Sequence, residues 1–419
     1  IIGKKRNHAP LVSNRHSKNR HLLQIGITSN ILEWYEFMVY AYLATVIGQI
    51  FFHATSNIMA LIQAFAVFSI GYLARPIGSL YFGRRADKFH AGISLKHSLL
   101  LMTIPTFLIG MLPTYNNIGY GATFLLILLR IVQGFAAGGE LPISASYLYE
   151  TSPDKVKRIF FCSLPYFGSG VGILLASLTV YLLYIFFTAQ AVTNWAWRIP
   201  FMLGLPLSLF ILYIRKDIPT TISMINPLTP IIHKQYFGKI IKGMFMVAFL
   251  EANVYILFVW MPSYLQNFLG VAHTTAMFVN VFGLICLTAT ILFFSYIGQY
   301  TNYRRSYFIS VVLLTLSLYP LLLLLQHTNS FPVLIVVQLI FSLIFGCING
   351  TTLFLVCDSF PPEIRNRGMA ISITFPPAII GGTAPLLCSY FIHVWHFNNF
   401  PGMYIMGLGI VTLLVNIWL

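Results

Sequence analysis

The sequence predicts an all-α polytopic membrane protein, with twelve transmembrane helices in two six-helix halves and both termini cytoplasmic. Three observations predict it. The residues are 58% hydrophobic and only 8% charged, a balance that cannot clothe a soluble globule in an ordinary polar surface. Basic residues are confined to every second loop between the apolar segments, as the positive-inside rule requires. Two loop signatures recur in the second half of the chain at nearly one offset.

A span crosses a hydrocarbon core about 30 Å thick and needs about 20 apolar residues. Such segments begin near Leu22, Ile58, Ser98, Ile118, Ile159 and Trp197, and again near Lys239, Thr275, Ser306, Pro332, Gly368 and Pro401. They divide the chain into a basic cytoplasmic arm (1–21), an N-terminal six-helix bundle (22–214), a cytoplasmic linker (215–238) and a C-terminal six-helix bundle (239–419). The first span holds two carboxylates and no small-residue cleavage site, so it reads as a retained helix and not a signal peptide.

All but three of the 25 Lys and Arg residues lie in the arm, the linker and its flanks, and the loops after spans 2, 4, 8 and 10. The exceptions are Arg75, Arg130 and Arg198, within spans or at a span end. The basic arm suffices as a topology determinant, and no nucleic-acid partner is expected. The five cysteines are odd in number and lie in or beside spans, which implies neither a disulfide framework nor a metal site.

After span 2 the chain reads Gly83-Arg84-Arg85-Ala86-Asp87-Lys88, and after span 8 Gly298-Gln299-Tyr300-Thr301-Asn302-Tyr303-Arg304-Arg305. After span 4 it reads Glu150-Thr151-Ser152-Pro153-Asp154 with Lys157-Arg158 following, and after span 10 Asp358-Ser359-Phe360-Pro361-Pro362-Glu363 with Arg365 following. Two halves of like topology with a pathway between them are the simplest source of this repeat, and they predict alternating access by rocking halves.

Further stretches carry a family resemblance: Asn30-Ile31-Leu32-Glu33-Trp34-Tyr35-Glu36-Phe37, Leu73-Ala74-Arg75-Pro76-Ile77-Gly78, Gln133-Gly134-Phe135-Ala136-Ala137-Gly138-Gly139-Glu140, Trp197-Arg198-Ile199-Pro200-Phe201, Met261-Pro262-Ser263-Tyr264-Leu265 and Gly381-Gly382-Thr383-Ala384-Pro385. With these the chain resembles the major facilitator superfamily. Within it, the chain is similar to the metabolite/proton symporters, the branch that holds bacterial proline and glycine-betaine carriers. The resemblance implies the major facilitator fold, a bacterial inner membrane, a proton as coupling ion with no other cofactor, and a monomer among membrane lipid. Two departures stand out. Phe89-His90-Ala91-Gly92 replaces the family's continuation after Asp87-Lys88, and Asn302 stands where the second copy is expected to carry Asp.

An ionisable group near the bilayer centre costs from about 3 to more than 10 kcal/mol, so each one needs a partner or a purpose. The acids inside spans are Glu33, Glu36, Glu140 and Glu251. Glu33 and Glu36 are one i, i+3 step apart on a face that Phe37 and Tyr40 continue, a spacing that favours proton uptake by one of them. Either can be the carrier, and for Glu33 a static interhelical network is the alternative. Arg130 is mid-span and Glu140 ten residues later, too far along the axis to pair with each other. The resemblance places span 4 beside span 1, which makes Arg130 with Glu33 or Glu36 the expected pair, and it makes Glu140 a coupling candidate. Gly134 and Gly138 form a small-residue packing stripe.

The expected substrate contacts are Arg130, Glu36, Tyr40, Trp34, Glu251, Asn253 and Tyr255, where carboxylate, amine and cation–π chemistry converge. The expected gate consists of Arg75, Asp87, Lys88, Glu150, Arg158, Asp358 and Arg365. The reading is a proton-coupled symporter that imports a small polar, carboxylate-bearing metabolite: an amino acid, a betaine-like osmolyte or an organic acid. The alternatives are an importer of a larger polycarboxylate, such as a citrate-based siderophore, and a non-transporting membrane sensor. An enzyme is not expected, because no hydrolase, metalloprotease or phosphate-cradling motif occurs.

Overall fold

The computed structural model describes all residues except 1–26, 29, 90, 139, 153, 155, 215–233, 329, 363 and 419, and the regular structure among the described residues is entirely helical. The basic arm, the expected start of the first span at Leu22 and most of the linker lie outside them. In chain order the helices are α1 (30–42, continuing as Ala44–Phe51), α2 (Asn57–Leu73 and Arg75–Phe89), α3 (Ala91–Met111), α4 (Tyr120–Ala137 and Glu140–Thr151), α5 (Arg158–Phe186) and α6 (Arg198–Ile214). The second set is α7 (Phe237–Val254, Tyr255–Trp260 and Met261–Asn267), α8 (His273–Ile297), α9 (Tyr303–His327), α10 (Phe331–Ser359), α11 (Arg365–Pro376, Pro377–Gly381 and Ala384–Val394) and α12 (Phe400–Trp418). Nine helices among the described residues are long and apolar enough to cross a membrane, and Ala189–Ala196 with Arg198–Tyr213, bent by 55°, make a tenth. The shorter apolar helix Ser98–Met111 and α1 fill the remaining expected positions.

Helix ends follow capping chemistry. The Ser56 hydroxyl accepts from the Met59 N–H at 3.2 Å and starts α2. Asn302 accepts from the Arg305 N–H at 3.2 Å and starts α9, so it keeps the capping role of the expected Asp without its charge. Inside α7 and α11 the segments Tyr255–Trp260 and Pro377–Gly381 are π-helical. In α11 this coincides with Pro376 and Pro377, which lack the N–H groups an α-ladder needs.

Burial orders the bundle. The apolar stretch of α7 is 89% buried, while that of α12 is 28% buried. Every residue from 32 to 44 of α1 is buried as well. The first helix of each half therefore stands at the centre, and the last faces outward with apolar side chains such as Leu414 and Ile417 exposed, as a lipid-facing surface requires. α4 lies against α2 through the predicted stripe: a Cβ on Gly134 would meet the Gly71 carbonyl, and one on Gly138 the Arg75 carbonyl.

The two halves meet where α5 packs on α8 and α10, and α2 on α11. At the end opposite the basic loops, the Tyr42 hydroxyl donates to the Phe258 carbonyl at 2.8 Å, and Asn280 donates to Tyr42 at 3.1 Å and to Ser177 at 2.9 Å. Midway, Ser69 donates to the Gly382 carbonyl at 2.9 Å. At the basic end, Tyr149 donates to Asp358 at 3.0 Å and Arg365 approaches Glu150 at 3.4 Å. The seam is thus closed at both ends. Gly134→Val should push α4 off α2 and lower the detergent unfolding temperature, by overpacking worth about 1–3 kcal/mol. Gly407→Ala, where a Cβ meets no neighbour, should leave that temperature unchanged.

Candidate substrate and proton site

Between the closed ends, two arginines are buried among aromatic rings. Glu33, Glu36, Phe37 and Tyr40 share one side of α1 because they recur at helical spacing. Arg75 Nη2 of α2 lies 2.9 Å from Glu33 Oε1, both side chains buried. Its guanidinium carbon is 4.4 Å from the ring centres of Phe37 and Tyr72. Arg130 of α4 lies 4.3 Å from the Tyr40 ring centre, 4.8 Å from Phe37 and 5.4 Å from Phe68. Desolvated cation–π contacts of this kind contribute about 2 kcal/mol each. They offset part of the cost of keeping two cations away from water.

Arg130 connects to Glu36 through a relay. Its Nη1 donates to Gln133 Oε1 at 2.6 Å, and Gln133 Nε2 donates to the Thr106 hydroxyl at 2.8 Å. That hydroxyl donates to Glu36 Oε2 at 3.0 Å, and Gln133 Nε2 also reaches the Glu36 carbonyl at 3.3 Å. Arg130 Nε and Nη2 are buried and find no hydrogen-bond partner among the described residues. They leave two donors for a carboxylate.

Glu251 approaches the cluster from α7. Neither of its buried oxygens finds a hydrogen-bond donor among the described residues. It lines a cavity of ≈ 20 Å³ with Glu33, Trp34 and Arg75, and another of ≈ 10 Å³ with Trp34, Tyr166 and Asn349. Tyr255 stacks on Trp34 at 6.0 Å and meets Tyr72 edge-on at 5.2 Å.

Several placements differ from the sequence expectations. Arg75, expected at the gate, sits in the central cluster. The nearby Glu33 carboxylate and the faces of Phe37 and Tyr72 hold it there. Arg130, expected to pair directly with Glu33 or Glu36, is held instead by Gln133, which stands one turn on along its own helix face. Asn253 turns back to its own helix, donating to the Phe249 carbonyl at 2.7 Å. The side chains of Glu140, Asp87 and Lys88 lie outside the described ones. Glu36, Tyr40, Trp34, Glu251 and Tyr255 do converge, joined by Gln133, Thr106, Phe68 and Tyr72, which received no role from the sequence. Gln133 was findable, three residues after Arg130; Thr106 was not, since one hydroxyl in an apolar helix carries no signal.

At the basic end, Arg365 reaches Glu150, donates to the Cys357 and Phe360 carbonyls at 3.2 Å each, and covers the Tyr149 ring at 4.4 Å. Arg158 lies 5.0 Å from the same ring. Asp358 accepts from Tyr149 and pairs with Arg304 at 3.2 Å. Tyr149 is therefore the hub of the latch, with Glu150, Arg158, Asp358 and Arg365 around it.

Two measurements check this geometry. Glu33→Gln strands the buried Arg75 charge and should cost about 3–5 kcal/mol, read as a lower unfolding temperature in detergent, and the Glu33→Gln/Arg75→Gln pair should regain much of it. Arg365→Gln should open the basic end. Alkylation of Cys162 and Cys357, fully buried and facing each other across the seam, should then rise severalfold in membrane vesicles, read by mass spectrometry.

Comparison with known proteins bears on the whole arrangement. The family model described as Major Facilitator Superfamily matches residues 29–375 and 243–419. A Staphylococcus haemolyticus protein named for proline/betaine transport is 31% identical over 399 residues, 92% of this chain and 84% of its own length. The citrate-proton symporter of Klebsiella pneumoniae is 29% identical over 406 residues, 94% of this chain and 90% of its own. The crystal structure of a D-xylose-proton symporter superposes with a TM-score of 0.75 at 16% identity, covering 94% of this chain and 96% of that one. The chain belongs to the Major Facilitator Superfamily and is a multi-pass membrane transporter.

Proposed function

We propose that the protein is a proton-coupled symporter that imports a small carboxylate-bearing metabolite across a bacterial inner membrane, by rocking of the halves 22–214 and 239–419. The observation that carries the reading is Arg130: a buried guanidinium with two open donors, tied through Gln133 and Thr106 to Glu36. While Glu36 is ionised, its negative charge compensates Arg130 across the relay. A proton on Glu36 removes that charge, and a substrate carboxylate becomes the best available partner for the fork. Proton and substrate then favour each other's binding, as symport demands. Loss of the proton inside restores the competing carboxylate and ejects the substrate. Glu251, with the faces of Trp34 and Tyr255, suits a cationic or quaternary amine at the substrate's other end. One charge moving down 100 mV supplies about 2.3 kcal/mol, nearly fifty-fold accumulation before any pH gradient.

A second reading, a polycarboxylate importer, is favoured by one observation: Arg75 stands in the same aromatic cluster as Arg130. Its Glu33 partner would have to yield to a second substrate carboxylate.

Uptake into proteoliposomes under an imposed proton gradient tests both, with proline, glycine betaine, ketoglutarate and citrate as substrates. Wild type should accumulate one class. Glu36→Gln should lose accumulation yet keep gradient-free counterflow, and Arg130→Gln should lower both by about a hundredfold or more, the scale of an unpaired buried charge partner. Accumulation that survives Glu36→Gln would remove Glu36 from coupling, and citrate as the accumulated species would favour the second reading.

A further inference from the structure

A roomy opening lies away from the central site, at the basic end inside the second half. It has a volume of ≈ 410 Å³ and is lined by Lys239 and Lys242 of α7, Arg304 and Tyr307 of α9, Asp358 of α10 and Asn416 of α12. Three cations face one carboxylate there. That carboxylate is already engaged, pairing with Arg304 and accepting from Tyr149. Lys242 Nζ donates to the Asn416 carbonyl at 3.1 Å, a neutral partner that leaves its charge uncompensated. Tyr307, only 4% exposed, lines the opening with its ring.

Like charges gathered in a half-enclosed space repel one another unless an anion joins them. An anion here meets two ammonium groups and a guanidinium edge, a donor set that suits the several oxygens of a phosphate. Phe308 of the lining is exposed, as are Phe237, Ile417 and Trp418, sequence neighbours of the lining residues Lys239 and Asn416, which suits an occupant with acyl chains.

We propose that this opening is a binding site for a phosphate group, and that the group belongs to an anionic phospholipid of the leaflet on the basic side. The site does not depend on the transport reading. An occupant there lies against the Arg304–Asp358 pair, and through Asp358 touches the contact with Tyr149 of the other half.

The test is thermal unfolding of the full chain in detergent, titrated with phosphatidylglycerol, phosphatidylcholine, glycerol 3-phosphate or inorganic phosphate. The expected result is saturable stabilisation by phosphatidylglycerol that phosphatidylcholine does not give. In the Lys239→Gln/Lys242→Gln variant its apparent affinity should fall by about twenty-fold or more, at about fivefold per basic residue. Lys239→Arg/Lys242→Arg should retain it. Stabilisation by the soluble phosphates alone would overturn the lipid assignment and keep the phosphate site. Equal effects of both lipids with none from either phosphate, or equal affinity in wild type and the Gln variant, would overturn the proposal.

Discussion

Everything at the centre of this protein depends on how two guanidinium groups are kept away from water. A buried arginine cannot shed its proton, so its charge must be met by other means. Arg75 has a carboxylate at 2.9 Å and aromatic faces on its flank. Arg130 has aromatic faces and a neutral amide, and its compensating carboxylate is reached only at the far end of a relay. The first cation is locked and the second is poised. Phe37 lies against both, and the other rings divide between them, Trp34 and Tyr72 beside Arg75 and Tyr40 and Phe68 beside Arg130.

Closure at the two ends follows from different chemistry. The end opposite the basic loops is held by neutral hydrogen bonds among Tyr42, Asn280, Ser177 and Phe258. The basic end is held by ion pairs and arginine–tyrosine stacking around Tyr149. Ion pairs are screened by salt and neutral bonds are not, so the two ends respond differently to ionic conditions on their own sides of the membrane.

Much of the fold was legible because a membrane leaves few options, and apolar length fixes the spans. Observed helix starts at Asn57, Tyr120 and Arg365 fall within a few residues of the expected Ile58, Ile118 and Gly368. The central residues were legible by the same scarcity, since any charge inside a span stands out. Pairing was not. Whether Glu33 meets Arg75 or Arg130 depends on side-chain directions that span spacing does not encode. The roles of Gln133 and Thr106 emerged only from contacts between α3, α4 and α1.

The π-helical turns of α7 and α11 have a consequence of their own. Such a turn behaves as an α-helix that has taken in one extra residue, and everything beyond it is rotated by about a quarter turn relative to an unbroken helix. In α7 the turn begins at Tyr255, one turn after Glu251, so the acid and the stretch Met261–Asn267 beyond the turn are set by separate registers. Evolution can retune one without disturbing the other. A lineage of such carriers could change what the cavity accepts while the stretch beyond the turn stays as it was.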